Sequence, residues 1–107
     1  MLRIYSVILE MVAKLRPLIS QIERKDTDLA RQLRRAASSV ALNCAEGSYS
    51  RGGNRMARYY NAVGSAREVL AVLEVSVALG YLATPDPRLV ARLHHIIGTL
   101  VRVARPG

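Results

Sequence analysis

Six arginines bracket one interruption in the sequence. Arg31, Arg34 and Arg35 precede the stretch ALNCAEGSYSRGGNR (residues 41–55), and Arg51, Arg55 and Arg58 lie in it or just beyond it. Guanidinium groups pair bidentately with phosphate, and a Gly52-Gly53 turn lets backbone N–H groups approach the same anion. On a helix Arg31 and Arg35 share a face, as do Arg34 and Ser38, and Arg51, Arg55 and Arg58 repeat that spacing after the break. The chemistry offered is anion binding at one end of the molecule. A solvated face joined by an ordinary loop is the competing account, because isolated surface charges contribute little.

Catalysis has weaker support. Asn43, Glu46, Ser65, Arg67 and Glu68 bring two carboxylates and an amide to two adjacent helices, yet the simpler expectation is that they pair with Arg34, Arg35 or Arg67 and fix helix register. The chain has two histidines and neither is placed to activate a serine, so no catalytic residue is assigned. His94 and His95 are adjacent, which on a helix turns them about 100° apart, and no cysteine or acid follows one turn later to complete a metal site. No metal and no cofactor is expected. The Gly52-Gly53 pair also lacks the preceding strand and longer glycine pattern of a nucleotide-binding loop.

The composition sets the frame for these residues. A chain of 107 residues makes a single domain, 1–107, and with no Phe and no Trp its core must come from Leu, Val, Ile, Ala, Met and Tyr. Half of the residues are hydrophobic, more than so short a chain can bury, which predicts self-association. The net charge of +8 attracts polyanions, and 14 of the 16 basic residues are arginine. Residues 24–58 hold eight bases against three acids, whereas 59–87 hold one base, Arg67, against Glu68, Glu74 and Asp86. One end is basic and another part is nearly uncharged. No window offers the roughly 18 uncharged apolar residues of a membrane span; VLAVLEVSVALGYLA, residues 69–83, is too short and contains Glu74. The opening MLRIYSVILEMVAKLRP alternates charged and apolar residues, unlike a signal peptide. The lone Cys44 fits a reducing compartment, so a cytoplasmic, membrane-free location is expected.

Four helices must position the arginines. Leu2, Tyr5, Leu9, Val12, Leu15, Ile19 and Ile22 trace one face of the first, with Pro17 a kink or local break. Asp26 or Thr27 caps the second, which carries Leu29, Leu33, Ala36, Ala37, Val40, Ala41 and Cys44 and is predicted to stop at a left-handed Gly47. Its small central residues, RRAASSVALNCA, allow neighbours to approach closely. The third helix is predicted to open near Asn54 and to carry Met56, Tyr59, Tyr60, Val63, Ala66, Leu70, Leu73, Val77 and Tyr81. Residues 69–83 are apolar nearly all round, which calls for burial on more than one side. Asp86 and Pro87 then start the fourth, whose face is Leu89, Val90, Leu93, Ile96, Ile97, Leu100 and Val101, and ARPG reads as a frayed end. The pattern is all-α, an antiparallel up-down four-helix bundle.

QLRRAASSVALNCAEGS and YYNAVGSAREVLAVLEVSVALGYL, about half of the chain, resemble the four-helix-bundle family encoded within intervening sequences of bacterial 23S ribosomal RNA genes. That family includes the accessory variability protein of diversity-generating retroelements. The resemblance rests on polar residues fixed inside apolar helices, Asn43-x-Ala45-Glu46-Gly47-Ser48 and Gly64-Ser65-Ala66-Arg67-Glu68. It implies a homopentamer with a highly basic surface, and for the retroelement branch a nucleic-acid-binding partner of a reverse transcriptase. The intervening-sequence branch has no settled activity. Cys44 departs from the family, whose members usually have an aliphatic residue there.

The function these observations favour is a non-enzymatic, oligomeric bundle that binds RNA or DNA backbone through Arg31, Arg34, Arg35, Arg51, Arg55 and Arg58, alongside a protein partner such as a reverse transcriptase or as part of a ribosomal RNA element. A structural or protein-interaction assembly is the alternative. A third account treats the chain as an engineered scaffold in which Cys44, Tyr49, Met56 and Tyr60 shape a pocket between subunits that binds or transforms a small aromatic ligand.

Overall fold

Two aspartates set where helices begin. Asp26 accepts a hydrogen bond from the Leu29 backbone N–H at 3.0 Å, and Asp86 accepts one from Arg88 at 2.9 Å. Each satisfies an amide that the first turn of a helix leaves unpaired. The computed structural model describes residues 2–105, and its elements are α1 (Ile4–Glu23), α2 (Thr27–Tyr49), α3 (Gly52–Ala78) and α4 (Pro87–Ala104). No strand occurs among the described residues, and no helix there is long and apolar enough to cross a membrane. Successive helices pack side by side and α4 returns to α1, closing a four-helix bundle of 43 × 24 × 19 Å. Pro87 occupies the start of α4, where its missing N–H leaves no partner wanting.

The core stripe of α1 differs from the one expected. Ile4, Ile8, Met11, Leu15, Ile19 and Ile22 are buried, while Leu9 is exposed and Leu2, Tyr5 and Val12 are only partly covered. Residues 4–12 are apolar on two adjacent stripes of equal spacing, so periodicity alone does not choose between them. Pro17 does not break the helix, which is continuous from Ile4 to Glu23. In α2 the expected residues are buried except Leu29, which is partly covered.

Gly47 does not end α2. It is buried within the helix, and the residues with left-handed backbone are Gly52 (φ +58°) and Gly80 (φ +80°). The reason is across the seam. A Cβ on Gly47 would lie 2.5 Å from Tyr59 Cε1 and 2.8 Å from Cδ1, so hydrogen at this position is what allows the buried Tyr59 ring to close onto α2. Serines finish the helix instead. Ser48 Oγ donates to the Cys44 carbonyl at 3.1 Å and Ser50 Oγ donates to that of Glu46 at 2.9 Å, occupying acceptors near the helix end. The turn follows at Gly52, and α3 starts there rather than near Asn54.

Tyr81 lies past the end of α3 and not on it, since the helix closes at Ala78 and Gly80 turns the chain. Its hydroxyl instead donates to Asp26 at 3.3 Å while its carbonyl accepts from Gln21 at 3.3 Å, tying the α3–α4 connection to the α1–α2 loop. Residues 69–83 split between Val69, Val72, Leu73 and Leu82 in the core and Val75 and Leu79 on the surface. Of the terminal ARPG, Ala104 is buried in α4, whereas Pro106 and Gly107 lie outside the described residues.

The seam makes two predictions. Gly47→Ala should destabilise the protein by about 1–3 kcal/mol in urea melts, because overpacking against Tyr59 outweighs the ~1 kcal/mol that alanine gains over glycine in a helix. Tyr59→Phe should hold or raise stability, since the buried hydroxyl has no hydrogen-bond partner among the described residues and its removal relieves a desolvated polar group. A loss of more than about 1 kcal/mol in the phenylalanine variant would show that the hydroxyl is satisfied.

Candidate functional site

An open groove of about 410 Å³ follows the seam between α2 and α3. Arg34, Arg35 and Leu42 wall it from α2, and Arg58 reaches in from α3. Its floor is polar. Ser65 Oγ donates to Ser39 Oγ at 2.7 Å, and Asn43 Nδ2 donates to the same Ser39 oxygen at 2.9 Å and to the Ser39 carbonyl at 3.0 Å. One serine thus links both helices, and Ser38 Oγ turns back to the Arg34 carbonyl at 2.9 Å.

The arginines differ in what already holds them. Arg58 pairs with Glu46 at 3.2 Å, Arg34 with Glu23 of α1 at 3.5 Å and Arg31 with Asp28 at 3.4 Å. All three pairs are exposed, so each contributes about 0–1 kcal/mol and yields readily to a stronger anion. Arg35 has no acidic partner among the described residues. The groove lining therefore holds three arginines and one carboxylate, Glu46, with Arg34 also paired from α1 by Glu23.

Of the six arginines singled out, the fold gathers Arg34, Arg35 and Arg58 into this groove. Arg31 is one turn before Arg35 on the same exposed face of α2. The other two stand apart at the α2–α3 connection: Arg51 is the residue before α3, and the Arg55 guanidinium lies over the Tyr59 ring at 5.4 Å from its centroid. The polar set divides as well. Asn43, Glu46 and Ser65 meet at the seam, with Glu46 paired to Arg58 rather than to Arg34, Arg35 or Arg67, while Arg67 and Glu68 are exposed on α3 and form no ion pair among the described residues. Ser39 and Leu42 were not singled out from the sequence, although Ser39 stands one helical turn before Asn43, the spacing that lets the amide reach back.

Within the single bundle Cys44, Tyr49, Met56 and Tyr60 are placed differently: Cys44 is fully buried in the core, Met56 is partly buried, and Tyr49 and Tyr60 are exposed. Cys44 and Tyr49 are five residues apart, about 140° round the helix, so one faces the core and the other faces out. His94 and His95 are exposed on α4, and no group of three or more His, Cys, Asp or Glu side chains gathers among the described residues.

The fold just described recurs in a known protein family. The family model of the 23S rRNA-intervening sequence protein matches residues 1–101. The chain belongs to that family. A solved structure from Bacteroides thetaiotaomicron, a protein with unknown function from the S23 ribosomal protein family, is similar with a TM-score of 0.86 at 15% identity, covering 96% of this chain and 99% of its own. At that identity the likeness speaks for the fold alone. No curated protein matches the chain.

In this family member the cysteine makes a test of core burial. Desolvation raises the Cys44 thiol above its ordinary value of 9.0. The folded state keeps the thiol protonated where the unfolded chain has begun to ionise, so the stabilisation is complete below that ordinary value and is lost as pH rises through it. The stability gap between the native chain and Cys44→Ala should narrow from pH 7 to pH 10 in urea melts, with slow thiol labelling of the folded protein at neutral pH. An unchanged gap with rapid labelling would place the thiol at the surface.

Proposed function

We propose that this protein is a non-enzymatic binder of RNA or DNA backbone, with the α2–α3 groove as the contact. The observation that carries this is the convergence of Arg34, Arg35 and Arg58 on one open groove in a chain of net charge +8. Phosphate oxygens accept bidentate bonds from guanidinium, and Arg35 is available without displacing any internal partner. Arg31 extends the same face by one turn, and Arg51 and Arg55 add positive potential near the α2–α3 connection. Contacts of this kind position a polyanion without reading its sequence. The family name, 23S rRNA-intervening sequence protein, is consistent with a setting in which RNA is at hand.

Self-association is the second element of the proposal. Tyr60 and Val75 on α3 and Leu79 just after it are exposed large apolar side chains, and Gly64, Arg67 and Ala71 lie on the same face between Tyr60 and Val75. Burying that stripe against further copies resolves the excess of hydrophobic residues, and a pentamer would carry a formal charge of 5 × 8 = 40. Such an assembly leaves the α2 face of each copy open to a polyanion.

Fluorescence anisotropy with a labelled structured RNA and a matched DNA duplex, at about 50 and 200 mM salt, tests the groove. Binding should fall steeply with salt, with each phosphate contact contributing about −0.9 to the log–log slope on duplex DNA. Arg34→Ala, Arg35→Ala and Arg58→Ala together should reduce the slope by about 2–3. Binding that persists unchanged in the triple variant, or no binding at the lower salt, would refute the assignment.

A further inference from the structure

The outward face of α2 holds more than arginine. Arg35, Leu42 and Tyr49 recur at intervals of seven residues, two helical turns, and so stand nearly in line about 10 Å apart along the helix. Leu42 is 63% exposed and Tyr49 83% exposed, the two most exposed large apolar side chains of the described protein. Leu42 forms part of the groove wall beside the arginines, and Tyr49 ends the helix two residues before Arg51. Tyr5, Tyr59 and Tyr81 are at least partly packed into the bundle and Tyr60 on α3 is 48% exposed, whereas Tyr49 is the most exposed of the five tyrosines.

A purely electrostatic contact with a duplex gives no use to an apolar wall or an open aromatic ring. In a duplex the bases are stacked on one another, and A-form RNA has a major groove too deep and narrow for side chains to read. An unpaired strand differs. Its phosphates still seek cations, while its bases are free to stack on an aromatic side chain, a contact that every base can make. Resting on the polyanion reading above, we infer that the α2 face takes an unpaired polynucleotide strand. Its phosphates lie along Arg34, Arg35 and Arg58, its path crosses Leu42, and one base stacks on Tyr49. Glu46, paired with Arg58, lies on the same face and keeps that guanidinium aimed at the groove.

Anisotropy at one salt concentration, with a labelled 12-nucleotide RNA strand, the same sequence as DNA and the corresponding duplexes, separates the outcomes. The full chain should prefer either single strand to its duplex, and Tyr49→Ala should weaken single-strand binding about tenfold while leaving duplex binding unchanged. Tyr49→Phe should retain the native affinity, and a 2-aminopurine base in the strand should be quenched by the native protein but not by the alanine variant. Tyr49 is exposed and its replacement leaves the fold intact, which circular dichroism checks. Equal affinity for the two single strands, or preference for RNA through its 2′-hydroxyl, both support the strand assignment. Duplex preference with Tyr49→Ala neutral would overturn it while leaving the phosphate groove standing. Loss of an oligomer in Tyr49→Ala, with single-strand affinity unchanged, would overturn it too and assign the face to contact between copies. Failure of every polynucleotide to bind would overturn the groove itself.

Discussion

The close approach of α2 to α3, sealed where the Tyr59 ring lies on Gly47, governs the rest of the molecule. It depends on the small residue Gly47 in α2, which leaves room for the Tyr59 ring of α3, on a helix whose other small residues Ala36, Ala37, Ala41 and Cys44 are also buried. Once that seam is fixed, Ser39 meets Ser65 across it and Arg58 comes within reach of Glu46. The groove is therefore a product of core packing. Its cations are carried on rigid helices instead of loops, which keeps them in place before any ligand arrives.

Electrostatics adds to this through the way the few acids are used. Asp26 and Asp86 cap helices, and Asp28, Glu23, Glu46 and Glu10 each meet one arginine, the last pairing with Arg92 at 3.4 Å. Every one of these pairs is at the surface and weak, so the acids orient arginines without cancelling the positive field. A second basic groove lies between α1 and α4, where Lys14, Arg88 and Arg92 surround about 310 Å³. Like the α2–α3 groove it has one carboxylate in its wall, here Asp86, but no exposed aromatic side chain on α1 or α4 adjoins it.

Much of this was legible in the residues. The four helices and the capping aspartates followed from local rules, because an acceptor before a helix and a proline at its first position act within a few residues. What could not be read was set across helices. Gly47 carries the signature of a terminator, and only the position of Tyr59 shows that it serves packing. The same holds for α1, where two apolar stripes compete and the partner helices choose between them. At the candidate site, arginine spacing put Arg31 with Arg35 and Arg34 with Ser38 on shared faces of α2, and Arg34, Arg35 and Ser38 line the groove. Arg51 and Arg55, by contrast, stand at the turn around Gly52 and outside its lining. Leu42 and Tyr49 drew no attention as a pair, since their importance lies in being exposed where burial was the default expectation for their types.

The most direct test of this account is to map the contact by backbone amide chemical shifts while a short polyanionic strand is titrated into the isotopically labelled protein. The account predicts that the shifts concentrate on residues 31–49 of α2 and around Arg58 of α3, leaving Lys14, Arg88 and Arg92 unmoved. Shifts centred on the α1–α4 groove, or spread evenly over all basic surface, would contradict it.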